Sequence, residues 1–104
     1  MNKRSAILVI ITSIIILLPI LAGLALWEKL PSQLPIHWNI KGKIDGLCPK
    51  EIAVFGLPAI LLVLHWISLA FAKKRSDEVG AVSYWIIPVV AVIISTVMYY
   101  FAMR

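Results

Sequence analysis

A chain of 104 residues that is 62% apolar and only 14% charged is no ordinary soluble domain, whose charged fraction is about 25%. With a mean hydropathy of +0.97, the composition points to an integral membrane protein, and the length allows a single domain over residues 1–104. The net charge of +5 does not indicate nucleic acid. The charges sit at the ends of apolar runs, at Lys3-Arg4, Lys29, Lys50, Lys73-Lys74-Arg75 and Arg104, and no basic stripe follows one face.

The first apolar run, Ala6 to Trp27, is 22 residues without a charge. About 20 residues are enough to cross a hydrocarbon core about 30 Å thick. A cleaved signal peptide is the rival reading, with Asn2-Lys3-Arg4 as its basic region and Gly23-Leu24-Ala25 as a small-x-small site. The run exceeds the usual apolar region of about 7 to 15 residues, so a spanning helix is the preferred reading.

Ile52 to Ala72 is the second predicted span. Pro49 suits a first helical turn, where its missing N–H costs nothing, and Glu51 favours the positive end of the helix dipole. Lys73-Lys74-Arg75 ends the run, and the short polar link Ser76-Asp77-Glu78-Val79-Gly80 makes spans two and three antiparallel neighbours. The third span is Tyr84 to Met103, with Tyr84, Trp85, Tyr99 and Tyr100 placed as interfacial aromatics. Small residues predict the seams between helices: Pro88, Ala91, Ser95, Tyr99 and Ala102 on the third span, and Thr12, Pro19 and Gly23 on the first.

Counting basic residues does not orient the chain, since five fall on each side. Placement decides it. Lys3 and Arg4 precede the first span, Lys29 is offset by Glu28, and three basic residues follow the second span. The predicted topology is a multi-pass protein of the cell membrane, with a cytoplasmic amino terminus and an extracytoplasmic loop over residues 28–51.

That loop is the part of the chain rich in polar and turn-forming residues. Leu30-Pro31 and Leu34-Pro35 bias both leucines toward extended backbone. From Ile36 the pattern alternates, Ile36, Trp38 and Ile40 against His37, Asn39 and Lys41. Lys41-Gly42-Lys43 and Asp45-Gly46 are turn signals on either side of Ile44. The expectation is a hairpin-like cap with its apolar face seated on the bilayer interface.

His37, Asn39, Asp45 and Lys50 are the candidate ligand- or partner-binding residues, and Pro31, Pro35, Gly42 and Gly46 are the loop-structuring ones. An imidazole, a carboxamide and a carboxylate can bind a polar ligand, although Asn39 and Asp45 also suit turns of their own. They do not make a closed metal site, so neither metal nor cofactor is expected. His65 is the ionisable side chain deep in a span, read first as a packing histidine and second as a proton or ion relay. No nucleophile, base and orienter stand at motif spacing, and the chain is not expected to be an enzyme.

The loop carries Leu30-Pro31, Pro35-Ile36-His37-Trp38-Asn39, Gly42, Asp45-Gly46 and Lys50, and in that spacing it resembles the amino-terminal membrane domain of SdpI-type immunity proteins. The resemblance covers the first span, the loop and the start of the second, and differs at Cys48-Pro49. It implies immunity to a secreted antimicrobial peptide that the extracytoplasmic loop meets, and in that family the peptide's presence is relayed by holding a repressor at the membrane. The fold expected is an all-α integral membrane protein of three transmembrane helices with one ordered 24-residue loop between the first two. Its partners are the lipid bilayer and a secreted peptide toxin or membrane protein, with a homo-oligomer left open. The alternative function is an accessory subunit of a transporter or channel complex.

Overall fold

The computed structural model describes residues 2–75 and 79–104. Three helices carry the chain: α1 (Lys3–Ala25), α2 (Lys50–Arg75) and α3 (Ala81–Met103), each long and apolar enough to cross a membrane. α2 and α3 contain the predicted spans and extend them by up to three residues, while α1 begins three residues earlier than predicted and ends at Ala25, two residues short of Trp27. The predicted polar link falls mostly on residues 76–78, outside the described residues.

The helices are built inside out relative to a water-soluble bundle. Large apolar side chains such as Ile10, Leu21, Ile60, Phe71 and Ile93 point outward. The buried stripes instead mix small, proline and polar residues with a few large side chains: Thr12, Ile16, Pro19 and Gly23 on α1, and Tyr84, Pro88, Ala91, Ser95, Met98 and Tyr99 on α3. The stripe of α2 is Ala53, Val54, Pro58, His65, Leu69 and Ala72. Hydrocarbon solvates the outer Ile and Leu residues as well as a protein core would, so helices associate through close packing and polar contacts. The seams predicted on α1 and α3 are those observed, with Ala102 only half buried.

Each helix carries one internal proline, and all three are buried. A proline removes a helical hydrogen bond, and inside a membrane protein a neighbouring helix can make good the loss. The carbonyl freed by Pro19 is that of Ile15, four residues back, while the Pro19 carbonyl itself accepts from the Tyr99 hydroxyl at 2.8 Å, which ties α1 to α3. One turn further along α1, a Cβ on Gly23 would lie 2.5 Å from Val54 Cγ1 and 2.6 Å from the Tyr99 hydroxyl. The absence of a side chain at Gly23 lets all three helices meet.

Between α1 and α2 the all-helical expectation is corrected. After a short 3-10 turn (Trp27–Lys29), β1 (Gln33–Trp38) and β2 (Ile44–Pro49) form a two-stranded antiparallel sheet. The physical reason lies in the prolines. Leu30 is extended, with φ −84° and ψ 139°, and Pro35 occupies a strand position, so helix α1 cannot continue. Gly42, at φ +80°, takes the left-handed turn conformation that L residues resist. Asp45-Gly46 is strand and not turn, and Pro49 ends β2 immediately before α2 begins.

An isolated two-stranded hairpin is marginal in water. Here it is docked on the bundle by Leu30 and Leu34, which join Ala53, Val54, Met98 and Tyr99 in one core cluster. Burying each leucine contributes about 1.5–3 kcal/mol, enough to hold the hairpin in one place.

Gly23→Ala is expected to destabilise the protein by about 1–3 kcal/mol through overpacking. The measure is denaturant unfolding in detergent micelles. Val54→Ala added to the same chain should recover part of the loss, and a silent Gly23→Ala would contradict the close approach.

Candidate functional site

The hairpin tip is organised by Asn39. Its side-chain Oδ1 accepts from the backbone N–H groups of Lys41 at 2.9 Å and Lys43 at 3.0 Å. Its backbone N–H donates to the Lys43 carbonyl at 2.8 Å, and the Gly42 N–H donates to the Asn39 carbonyl at 2.9 Å. Four hydrogen bonds therefore converge on one residue, and the carboxamide oxygen is spent inside the turn. This is the turn-making role of an Asx side chain.

Behind the tip the pairing is irregular. Gln33, Leu34 and Pro35 face Pro49, Cys48 and Leu47, then His37 faces Gly46 and Trp38 faces Ile44. Ile36 and Asp45 are each left without a direct opposite, one on each strand, so the two shifts cancel. Such bulges re-aim side chains. The Asp45 carboxylate meets His37, with Nδ1 and Oδ1 2.5 Å apart. A Cβ at Gly46 would lie only 3.0 Å from the His37 Cβ.

A carboxylate accepts only, so the imidazole Nδ1–H donates and Nε2 is left facing outward. The side chains of His37 and Asp45 are 71% and 42% exposed. An exposed pair of this kind is worth about 0–1 kcal/mol to stability, much less than either buried leucine. The pair therefore adds little to the stability of the fold and stands open to solvent. An oriented imidazole with a free Nε2 can donate to or accept from a polar group, or ligate a metal alongside other donors. Among the described residues no group of three His, Cys, Asp or Glu side chains is placed to hold a metal ion.

The same shifts break the predicted alternation. Trp38 turns inward, its ring 5.7 Å from Phe101, while Ile36 and Ile40 remain exposed. The three do not form one apolar face. Pro35 is buried beneath the hairpin and Pro31 is exposed at its base.

Lys50 lies apart from His37 and Asp45, at the foot of the hairpin. Its Nζ donates to the Trp27 carbonyl at 2.9 Å and approaches the Leu30 carbonyl at 3.5 Å. It also lies 4.6 Å from the Trp27 ring centroid. The first residue of α2 thereby ties down the chain where it leaves α1. A cation there meets carbonyls at the negative end of the helix dipole. Trp27 closes the first predicted span, where sequence alone marks only an interfacial tryptophan and not a partner for Lys50.

His65 forms the second polar place, in the bundle interior. Its Nε2 is 2.9 Å from Thr12 Oγ1. The Thr12 hydroxyl has one proton and spends it on the Leu8 carbonyl at 2.7 Å, so it accepts from His65 Nε2–H. The neutral imidazole then carries a bare lone pair on Nδ1, buried and without a partner among the described residues, as is Ser95 Oγ. Beside this pair the Trp66 Nε1–H donates to Ser13 Oγ at 3.0 Å, a second clasp between α1 and α2. Ser68, three residues after His65, is only half buried, and Leu69 takes the inner position. Thr12 was legible as a seam residue but not as a partner. The signal was depth: Thr12 follows the start of α1 by about as many residues as His65 precedes the end of α2.

Two outcomes check these assignments. Asn39→Ala should speed amide exchange at Lys41 and Lys43, while Asn39→Asp, which keeps an acceptor oxygen, should preserve protection; equal exchange in both would remove the turn role. Thr12→Val leaves the imidazole N–H unpaired and should cost about 1–3 kcal/mol. His65→Leu should cost less from lost hydrogen bonding, because Thr12 keeps its bond to Leu8. A double-mutant cycle on unfolding free energies reads the coupling.

The family described as a domain of unknown function (DUF1648) matches residues 14–62. The match runs from α1 through the hairpin into α2 and takes in His37, Asn39, Asp45 and Lys50, while α3 lies outside it. No curated protein matches the chain, and no solved structure does. The chain is similar to DUF1648 over that stretch.

Proposed function

We propose that this is a small, non-enzymatic membrane protein of the immunity or sensing kind, whose hairpin stands outside the cell membrane and meets a secreted peptide or a membrane partner. The observation that carries the proposal is the exposed His37–Asp45 pair on a hairpin locked to the bundle by Leu30 and Leu34. The pair contributes little to folding, yet neighbouring residues hold it in one geometry. Preorganisation of this kind lowers the cost of binding.

The surroundings of the pair suit an amphipathic peptide. Ile36, Ile40, Ile44 and Leu47 expose apolar area on the hairpin, and Lys41 and Lys43 stand exposed at its tip. A secreted peptide that acts on membranes carries both an apolar and a polar face, and both kinds of contact are available. The resemblance of the loop to that of SdpI-type immunity proteins supports the same reading, as does the placement of positive charge before α1 and after α2, which favours a cytoplasmic amino terminus.

An accessory role in a transporter or channel complex draws on a different observation, the unpartnered Nδ1 of His65 in the bundle interior. A polar atom left open between spans is a place where a translocated proton or ion could be handed on. Loss of flux on His65→Leu in a chain that still folds would favour that role over the first.

The deciding experiment has two arms. In a Cys48→Ser background, Lys41→Cys should react with a membrane-impermeant maleimide in intact cells. Cys48 itself is partly buried against the core and is the poorer probe. In parallel, His37→Ala with Asp45→Ala should abolish protection of expressing cells from the secreted peptide and abolish crosslinking from a photoreactive residue at position 40, with unfolding stability changed by no more than about 1 kcal/mol. Labelling only after permeabilisation, or protection that survives the double substitution, overturns the proposal.

A further inference from the structure

At the end of the bundle opposite the hairpin, residues of all three helices line a cleft of about 940 Å³. That is at the upper end of the range for small-molecule sites, about 300–1,000 Å³. Its lining divides by chemistry. Arg4 of α1 and Lys73 of α2 stand at its mouth, together with Asn2 and Ser5, while Leu8, Val9, Leu69 and Ala70 line it further along the spans. Tyr84 and Trp85 of α3 and Trp66 of α2 complete the wall. Tyr84 and Trp85, near the start of α3, are amphipathic rings of the kind that settle at headgroup level, while Trp66 lies deeper, beside His65.

Two further features favour an anion at the mouth. The amino termini of α1 and α3 both lie at this end, and each brings the positive end of a helix dipole. The first turn of α3 has no side-chain cap, since its N-cap is Gly80. Among the described residues that line the cleft none is acidic. Against this stands the negative end of α2, which its own last-turn Lys73, Lys74 and Arg75 more than offset.

We propose that this cleft binds an anionic phospholipid, with its phosphate between Arg4 and Lys73 and one acyl chain along Leu8, Val9 and Leu69. A small soluble phosphate would satisfy the two cations and leave the apolar walls uncovered. A zwitterionic lipid would cover the walls and bring a second cation against Arg4 and Lys73. An anionic lipid matches both halves, as basic pockets between transmembrane helices do in general. The site is independent of the hairpin and of its proposed role, since no residue is shared between them.

Native mass spectrometry of the full chain, released from mixed micelles of phosphatidylglycerol and phosphatidylcholine with identical acyl chains, tests the site. Phosphatidylglycerol should be retained in preference. Arg4→Gln with Lys73→Gln should lower that preference roughly tenfold or more, at roughly fivefold for each cation near the phosphate. Lys41→Gln with Lys43→Gln, which removes the same charge at the hairpin, should leave it unchanged. Ala70→Trp, which fills the apolar part and keeps both cations, should also reduce retention and stands in if the first variant does not fold. Equal retention of the two lipids, equal loss in the hairpin control, or displacement by millimolar glycerol phosphate would each overturn the proposal, the last by showing a site for a small soluble anion.

Discussion

Close approach of the three helices at Gly23 is the constraint on which the rest of the structure depends. Hydrocarbon gives apolar helices no reason to leave lipid, so their association requires that backbones come near enough for dispersion and polar contacts to accumulate. Gly23 provides that room, and Val54 and Tyr99 occupy it. From there the Tyr99 hydroxyl reaches the Pro19 carbonyl, and Tyr99 and Val54 also floor the cluster that receives Leu30 and Leu34. The contact that closes the bundle is thus continuous with the one that docks the hairpin.

The chain uses polar groups in two ways, and environment separates them. His65 and Thr12 meet where water is absent, so an unmade hydrogen bond there costs nearly its full desolvation penalty and the pair serves association of α1 with α2. His37 and Asp45 meet where water competes, so the same kind of bond adds little to stability and leaves an imidazole edge free. One histidine is held for structure and the other is presented. Asn39 and Lys50 show how the presentation is kept stiff, the first by closing the tip and the second by tying α2 to the chain end of α1.

The two ends of the bundle differ in kind. The hairpin end is covered, its helix ends sealed by a sheet and by the Lys50 ammonium. At the other end, among the described residues, Arg4, Lys73 and the rings of Trp66, Tyr84 and Trp85 line a cleft, and the amino termini of α1 and α3 lie there.

Composition and hydropathy alone determined the three spans, because crossing hydrocarbon demands about 20 consecutive apolar residues whatever their partners. Small-residue spacing also marked the seams of α1 and α3, since only small or proline side chains suit close backbone approach, and the spaced prolines with Gly42 marked an extended, turning loop. What the sequence left open depended on distances between segments far apart in the chain. Local alternation put Trp38 with Ile36 and Ile40, but the shifts around His37 turn it onto Phe101, a residue in another helix. Asp45-Gly46 has the composition of a turn, yet cross-strand pairing draws it into β2. Among the candidate residues, Asn39 could be read as a turn maker from its own neighbours. The pairing of His37 with Asp45, of His65 with Thr12 and of Lys50 with the Trp27 carbonyl is set by tertiary structure alone, because a hydrogen bond forms within about 3 Å and no pattern along one strand or helix encodes that distance to another.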